Sequence, residues 1–166
     1  MYEKFGQFIN GNWSPSSNKE TYKVVNPATE EVLGQASKAT SDDVDRALKS
    51  AEKGLQVWKK TTPWQRSNIL RKIADKIREK KDVFAKWMTL ENGKPLAEGV
   101  GETNGAADIF EWNAEETKRI YGQTIESRFE DTRVHVYYQP VGVVAALSPW
   151  NFPLILAARK ISTALG

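Results

Sequence analysis

The chain is 166 residues long, and 24 lysine and arginine residues against 21 aspartate and glutamate residues give it a formal net charge of +3. It contains no cysteine, which excludes disulfides, thiolate zinc sites and a cysteine nucleophile supplied by this chain. One histidine, His135, argues against a histidine-based metal site and against a Ser-His-Asp triad. The sequence contains no run of the ~18 apolar residues that a membrane-spanning helix needs, and the first residues lack the apolar segment of a secretory signal. These features predict a soluble, cytoplasmic protein without a metal or a membrane partner.

Short strands are predicted in the first forty residues. Asn10 and Gly11 lie between the apolar residues of segment 8–13, and an Asn-Gly pair in that setting is a strong signal for a β-hairpin. Residues 21–25 form a β-rich run that stops at an Asn-Pro pair, and residues 31–36 are a candidate third strand after that turn.

Four helices are predicted next. Thr40 and Asp43 have the spacing of an N-terminal cap, and apolar residues then recur at helical spacing as far as Trp58. A second helix is predicted to begin at Pro63, because the fixed φ and missing N–H of proline suit a first turn. A third helix is predicted near residues 82–91, ending at an Asn-Gly pair.

The fourth helix is predicted over about residues 95–121, although interior glycines disfavour a helix in its first half. Its expected core-facing residues are Ile109, Phe110, Trp112 and Ile120.

The last forty residues have a different pattern. Residues 133–138 alternate as a half-buried antiparallel strand should, and the continuous apolar run 141–147 is typical of a strand covered on both faces in a parallel sheet. A helix that begins at Pro153 is apolar nearly all round, and such a helix is expected to be buried. Because a buried parallel strand needs neighbouring strands, this strand-turn-helix unit is interpreted as the opening of a doubly wound sheet whose remainder is missing.

Nucleotide and nucleic-acid signals are weak. Neither a G-x-G-x-x-G nor a G-x-x-x-x-G-K-[ST] motif occurs. Segment 59–86 holds ten lysine and arginine residues against three acidic ones. This basic charge favours the solvated face of amphipathic helices over a nucleic-acid patch, because no recognition motif accompanies it. His135 is interpreted as an exposed strand residue and not as a catalytic base, since no orienting partner is evident.

The segment 148–154 is the strongest candidate for a functional site. It lies between the predicted buried strand and the last helix, and ligands of doubly wound sheets bind at the carboxyl ends of strands. Two prolines stiffen it, and the amide of Asn151 is the kind of donor that stabilises a developing oxyanion. The alternative is that Asn151 serves the backbone of a tight turn, where asparagine is common.

Five segments together resemble the aldehyde dehydrogenase superfamily, in family order and at family-like separations over the whole chain. They are residues 8–13, 25–29, 91–95, 139–143 and, above all, Ser148-Pro149-Trp150-Asn151-Phe152-Pro153. The resemblance covers only the first part of the family's chain, so it implies an N-terminal fragment.

This resemblance implies roles for the 148–151 loop. Ser148, Pro149, Trp150 and Asn151 match the segment that lines the nicotinamide end of the cofactor cleft, so NAD or NADP is the expected cofactor. Asn151 matches the family's oxyanion-hole asparagine and is the expected catalytic residue of this chain.

The resemblance also implies a substrate site on the last helix. Phe152 and Leu156 match positions that line the aldehyde tunnel. Arg159 matches a position at which relatives that oxidise succinic semialdehyde use an arginine to bind the distal carboxylate. An ion pair between Arg159 and a part of the family's chain that is absent here is the open alternative.

The implied fold is α/β and aldehyde dehydrogenase-like, limited to its N-terminal portion. Residues 1–122 are assigned to the N-terminal strands and helices of the cofactor-binding domain and residues 123–140 to an oligomerisation hairpin. Residues 141–166 are assigned to the first strand-turn-helix unit of the Rossmann-like fold. The complete chain is expected to form a homo-oligomer, a dimer or tetramer, and the alternative for the hairpin is an ordinary surface hairpin.

The implied reaction is the oxidation of an aldehyde to a carboxylate with NAD or NADP, through a cysteine adduct that an asparagine amide stabilises. A semialdehyde is one candidate substrate. The catalytic cysteine and general-base glutamate are absent from these 166 residues, so the chain alone is expected to be inactive. The alternative function is a non-catalytic helical module that either mediates oligomerisation or binds nucleic acid through its basic segment.

Overall fold

The computed structural model describes residues 6–166. In this range the chain forms five helices and three two-stranded antiparallel sheets. The strands are β1 (Gln7–Ile9), β2 (Asn12–Ser14), β3 (Thr21–Val25), β4 (Val32–Ser37), β5 (Gln123–Glu126) and β6 (Arg133–Val136). The helices are α1 (Ser41–Trp58), α2 (Pro63–Glu79), α3 (Lys81–Asn92), α4 (Leu96–Glu116) and α5 (Pro153–Leu165). Among the described helices, none combines the length and the apolar composition needed to cross a membrane.

The two N-terminal hairpins confirm the predicted strands. Asn10 and Gly11 have φ values of 53° and 78°, the left-handed backbone that a two-residue hairpin turn requires. Phe8 and Trp13 are then directly opposite each other, with ring centroids 5.2 Å apart. The third predicted strand is β4, which pairs antiparallel with β3.

The helix boundaries follow the local signals in the sequence. Thr40 and Asp43 form a reciprocal capping box at the start of α1. Pro63 occupies the first turn of α2, as predicted. Helix α3 ends at Gly93, whose φ of 78° places it in the left-handed region that terminates helices.

The core lies where α2, α4 and α5 meet. Helix α4 is continuous through its glycines. Packing explains the glycine at position 99, because a Cβ on Gly99 would lie 2.9 Å from the carbonyl oxygen of Ala85 in α3. The absence of that Cβ lets α3 and α4 approach closely. The buried apolar residues of the cluster are Leu70, Ala74, Ile77, Ala106, Ala107, Phe110, Ala114 and Ala158.

Two of the four predicted core residues of α4 are not in the core. Phe110 is buried and Ile109 is partly buried, but Trp112 is 69% exposed and Ile120 is 55% exposed. Trp112 lies roughly 200° around the helix from Phe110 and therefore on the opposite side. Ile120 lies beyond the helix, because α4 ends at Glu116 and a short 3₁₀ turn follows.

The predicted strand over 141–147 is wrong for this structure. These residues have no regular secondary structure, and Val141 and Leu147 are 94% and 82% exposed. A parallel strand is held by hydrogen bonds to neighbouring strands, and no strand between residues 6 and 166 pairs with this segment. The segment has the apolar composition of a buried strand, but no described strand pairs with it.

The expected complete burial of the last helix is also wrong. In α5, Ala158 and Ser162 are buried against α4, whereas Ile161 is 41% exposed. Only one face of α5 is covered, because α4 packs against it on one side and no described element packs strongly on the other.

The hairpin formed by β5 and β6 is largely exposed, so the expectation of a half-buried strand here is wrong. His135 lies on β6, where its Nδ1 is 3.1 Å from the hydroxyl oxygen of Thr124 on the paired strand. It is an exposed strand residue, as predicted.

The basic segment lies mainly on α2 and α3, and two of its cations contact carboxylates of α4. Arg78 donates to Asp108 at 2.8 Å and to Glu111 at 2.6 Å, and Arg71 forms an ion pair with Glu115. These ion pairs join α2 to α4, and the interpretation of the segment as a solvated amphipathic face stays a prediction.

Candidate functional site

The loop that precedes α5 presents its side chains outward. Ser148, Pro149, Trp150 and Asn151 are all exposed, and Trp150 is 75% exposed. Within residues 6–166 the side chain of Asn151 makes no hydrogen bond. The backbone carbonyl oxygen of the same residue does accept one. The predicted turn into a helix is present, although the predicted strand before it is not.

The backbone of this loop is held from the inside by Lys94. The Lys94 ammonium donates a hydrogen bond to the carbonyl oxygen of Asn151 at 2.9 Å, and it lies 4.1 Å from the centroid of the Phe152 ring. Its side chain is only 5% exposed. A second donor, Nδ2 of Asn92, bonds the carbonyl oxygen of Trp150 at 3.0 Å. Two consecutive carbonyl groups are therefore fixed while the side chains remain free.

The connection between α3 and α4 places Lys94. Gly93 ends α3 in the left-handed conformation, and Pro95 begins α4 with φ −54° and ψ 140°. Lys94 is the single residue between a glycine that can adopt the left-handed conformation and a proline whose ring fixes φ, and this tight connection sets its position.

Glu102 of α4 caps helix α5. Its Oε1 accepts hydrogen bonds from the backbone N–H groups of Leu154 at 2.9 Å and Ile155 at 3.1 Å. Helix α5 has no side-chain cap of its own at Phe152, and Pro153 has no N–H. The free N–H groups of its first turn are therefore satisfied by a carboxylate 52 residues earlier in the chain.

The same carboxylate compensates the Lys94 charge. Oε2 of Glu102 forms an ion pair with the Lys94 ammonium, and the two side chains are 1% and 5% exposed. A buried ion pair is tolerated when hydrogen bonds satisfy its remaining donors and acceptors. Here the Asn151 carbonyl and two N–H groups at the positive end of the α5 dipole do so.

The predicted substrate residues lie along α5 and its start. Phe152, Leu156 and Arg159 are spaced four and three residues apart, which places them on one side of the helix. Phe152 is 45% exposed, Leu156 is partly buried and Arg159 is exposed. In the described part of the chain the guanidinium of Arg159 makes no ion pair or hydrogen bond. The structure therefore places the predicted substrate residues along α5 directly after the predicted cofactor loop.

Sequence reasoning missed the residues that hold the loop and the start of α5 in place: Asn92, Lys94 and Glu102. Glu102 carries a detectable signal, because it lies at four-residue spacing from Ala106 and Phe110 and so adds a charge to the buried stripe of α4. A buried carboxylate needs a partner, but the partners themselves are distant in sequence.

Comparisons with known proteins identify the family. The profile of the aldehyde dehydrogenase family matches residues 13–166. Over 158 residues the chain is 46% identical to a glutarate-semialdehyde dehydrogenase of Pseudomonas putida, covering 95% of this chain and 33% of that enzyme. Over 157 residues it is 45% identical to an NADP-dependent succinate-semialdehyde dehydrogenase of Escherichia coli, again covering 95% and 33%.

Solved structures agree. A crystal structure of an NADP-dependent enzyme of E. coli superposes with a TM-score of 0.94 at 43% identity, covering 99% of this chain and 35% of that one. A betaine aldehyde dehydrogenase of Staphylococcus aureus in complex with NAD+ superposes with a TM-score of 0.93 at 35% identity, covering 98% and 33%.

The fold and the loop before α5 define an α/β protein with the N-terminal architecture of aldehyde dehydrogenases. The chain belongs to the aldehyde dehydrogenase family. It spans about a third of the length of the relatives it matches.

Proposed function

We propose that this chain forms part of a cytoplasmic aldehyde dehydrogenase that oxidises an aldehyde to a carboxylate with NAD or NADP. The observation that carries the proposal is the loop of residues 148–152: its backbone is anchored by buried charged groups, while the amide of Asn151 is left without a partner in the described chain. An unpaired amide on a fixed backbone is suited to the stabilisation of a developing oxyanion.

Asn151 is assigned the role of oxyanion donor. Attack on an aldehyde moves negative charge onto the carbonyl oxygen, and a preorganised N–H donor stabilises that charge without reorganising during the reaction. The nucleophile belongs to the part of the family's chain that these residues do not include, since they contain no cysteine.

Ser148, Pro149, Trp150 and Asn151 are assigned to the cofactor. The loop suits a nicotinamide cofactor because its outward face is exposed and its backbone does not need to move for a ligand to lie against it. When bound, NAD or NADP supplies the hydride acceptor.

The proposed substrate is an aldehyde with a distal carboxylate. Phe152 and Leu156 provide an apolar wall, and the unpaired guanidinium of Arg159 is one turn further along α5. A guanidinium binds a carboxylate with two parallel hydrogen bonds. The names of the relatives, which include glutarate- and succinate-semialdehyde dehydrogenases, agree with this choice.

The complete enzyme is proposed to be a homo-oligomer, a dimer or tetramer, that assembles through the hairpin of β5 and β6. The exposure of this hairpin on both strands supports the assignment, because apolar side chains such as Ile125 and Val134 are 46% and 41% exposed there.

The function is tested with a chimera in which this chain replaces the matching third of the P. putida glutarate-semialdehyde dehydrogenase. We expect the chimera to form NADH or NADPH when supplied with glutaric or succinic semialdehyde, and the 166-residue chain alone to form none. A chimera that folds and binds the cofactor but oxidises no aldehyde would contradict the proposal.

The substrate class is tested by Arg159→Leu in the same chimera. We expect the KM for succinic semialdehyde to rise far more than the KM for an uncharged aldehyde of similar length, because only the former loses a charge partner. Lys160→Leu, which removes the neighbouring exposed cation, is the matched control. An equal rise for both aldehydes would remove the carboxylate-binding role.

A further inference from the structure

We infer that Lys94 and Glu102 are positioning residues of the enzyme: they fix the backbone of the 148–152 loop so that the amide of Asn151 is aimed at the reacting carbonyl. This inference rests on the proposed function and goes beyond it, since neither residue carries substrate or cofactor chemistry. It assigns a functional consequence to a buried ion pair that is distant from the chemistry in sequence.

The contacts of both charges converge on one short segment. The Lys94 ammonium bonds the carbonyl oxygen of Asn151 itself and lies against the ring of Phe152. Glu102 bonds the N–H groups of Leu154 and Ile155, three and four residues after Asn151. Lys94 therefore fixes the peptide group of Asn151, and Glu102 fixes the start of the helix that follows it.

The partners of this ion pair satisfy its charges, and they also fix the peptide group of Asn151 and the first turn of α5. The same space filled with apolar side chains would be as stable or more stable for many buried pairs. Such a replacement would leave the Asn151 carbonyl and two first-turn N–H groups without partners, and the loop would then be free to reach for water. Orientation is the property that this arrangement supplies.

Small displacements of such a group matter for catalysis. A misplacement of about 1 Å in a reacting geometry lowers a rate by about 10²-fold. Lys94→Met removes the donor to the Asn151 carbonyl while keeping an apolar stem of similar length. We therefore expect it to lower kcat of the chimera by about 10²-fold and to change the KM for the aldehyde little.

A double-mutant cycle separates positioning from general stability. If Lys94 acts through Asn151, Lys94→Met should lower kcat strongly in the parent chimera but hardly at all in an Asn151→Ala background, because the group that it aims is already absent. Equal losses in both backgrounds would overturn the inference. Lys76→Met, which breaks the exposed pair with Glu79 on α2, is the matched control and should leave kcat unchanged.

A second variant guards against a folding defect. Lys94→Met combined with Glu102→Gln removes both charges, keeps an oxygen acceptor for the N–H groups of Leu154 and Ile155, and leaves no uncompensated buried charge. We expect its melting temperature to return towards that of the parent chimera while kcat remains low. Recovery of kcat together with stability would overturn the inference. An inactive parent chimera would overturn the proposed function, whereas an active parent with a fully active Lys94→Met variant would overturn only this inference.

Discussion

Two carboxylates in this molecule do similar work in different ways. Asp43 and Glu102 are both about 1% exposed, and both accept hydrogen bonds from backbone N–H groups at a helix start. Asp43 lies in the first turn of the helix that it stabilises and bonds the N–H of Thr40. Glu102 lies inside α4 and stabilises the start of another helix, α5.

Asp43 is surrounded by neutral donors and by one cation that is itself half exposed. Its carboxylate accepts hydrogen bonds from the hydroxyl of Ser17 at 2.6 Å and from Nε2 of Gln7 at 3.2 Å, and it pairs with Arg46, which is half exposed. Asp43 thus ties the first hairpin and the loop after it to α1. Glu102 instead compensates a buried cation beside the candidate active site. Asp43 therefore stabilises the packing of the N-terminal segment, and Glu102 supports the loop of the candidate site.

The comparison predicts the larger stability loss at Glu102. Glu102→Ala should lower the free energy of unfolding of the chimera by about 3–5 kcal/mol, because the buried Lys94 charge loses its partner. Asp43→Ala should cost less, since Arg46 can turn to water. Urea denaturation of both variants measures the difference, and an equal or larger loss at Asp43 would break the distinction.

The pH dependence of stability sharpens the comparison on the Asp43 side. Hydrogen bonds from the Ser17 hydroxyl and the Thr40 N–H, together with Arg46, hold the pKa of Asp43 well below its usual range. The unfolded chain therefore takes up this proton first, so stability should fall as the pH drops below about 4, the ordinary aspartate pKa. Asp43→Asn should remove that part of the decline. Melting curves between neutral pH and acid test this, and an unchanged acid slope in the variant would contradict it.

The same contrast explains what could be predicted from the sequence. The three-residue spacing of Thr40 and Asp43 predicts the cap of α1. The Asn10-Gly11 pair and Pro63 are equally local signals, for a turn and for the start of α2. The prediction of a role for Asn151 depends on its loop and on a family resemblance. The anchoring by Glu102 could not be predicted, because its partners are eight and 52 residues away and only packing of α4 on α5 brings them together.

The failures have the same physical origin. The run 141–147 has the composition of a buried strand, but strand formation depends on neighbours that the described chain lacks. The apolar character of Trp112 predicts a core position, whereas its place on the side of α4 opposite Phe110 leaves it exposed. Local spacing predicts where elements begin and end, and long-range packing decides what is buried.

The most direct test of the account is the rate of aldehyde oxidation by the chimera that carries Asn151→Ala. Loss of a single oxyanion donor should lower kcat by about 10²–10³-fold while the variant keeps its fold and its cofactor affinity. Asn68→Ala, at an exposed position of α2, should have no effect. A drop of only a few-fold for Asn151→Ala would mean that this residue serves the turn and not the reaction.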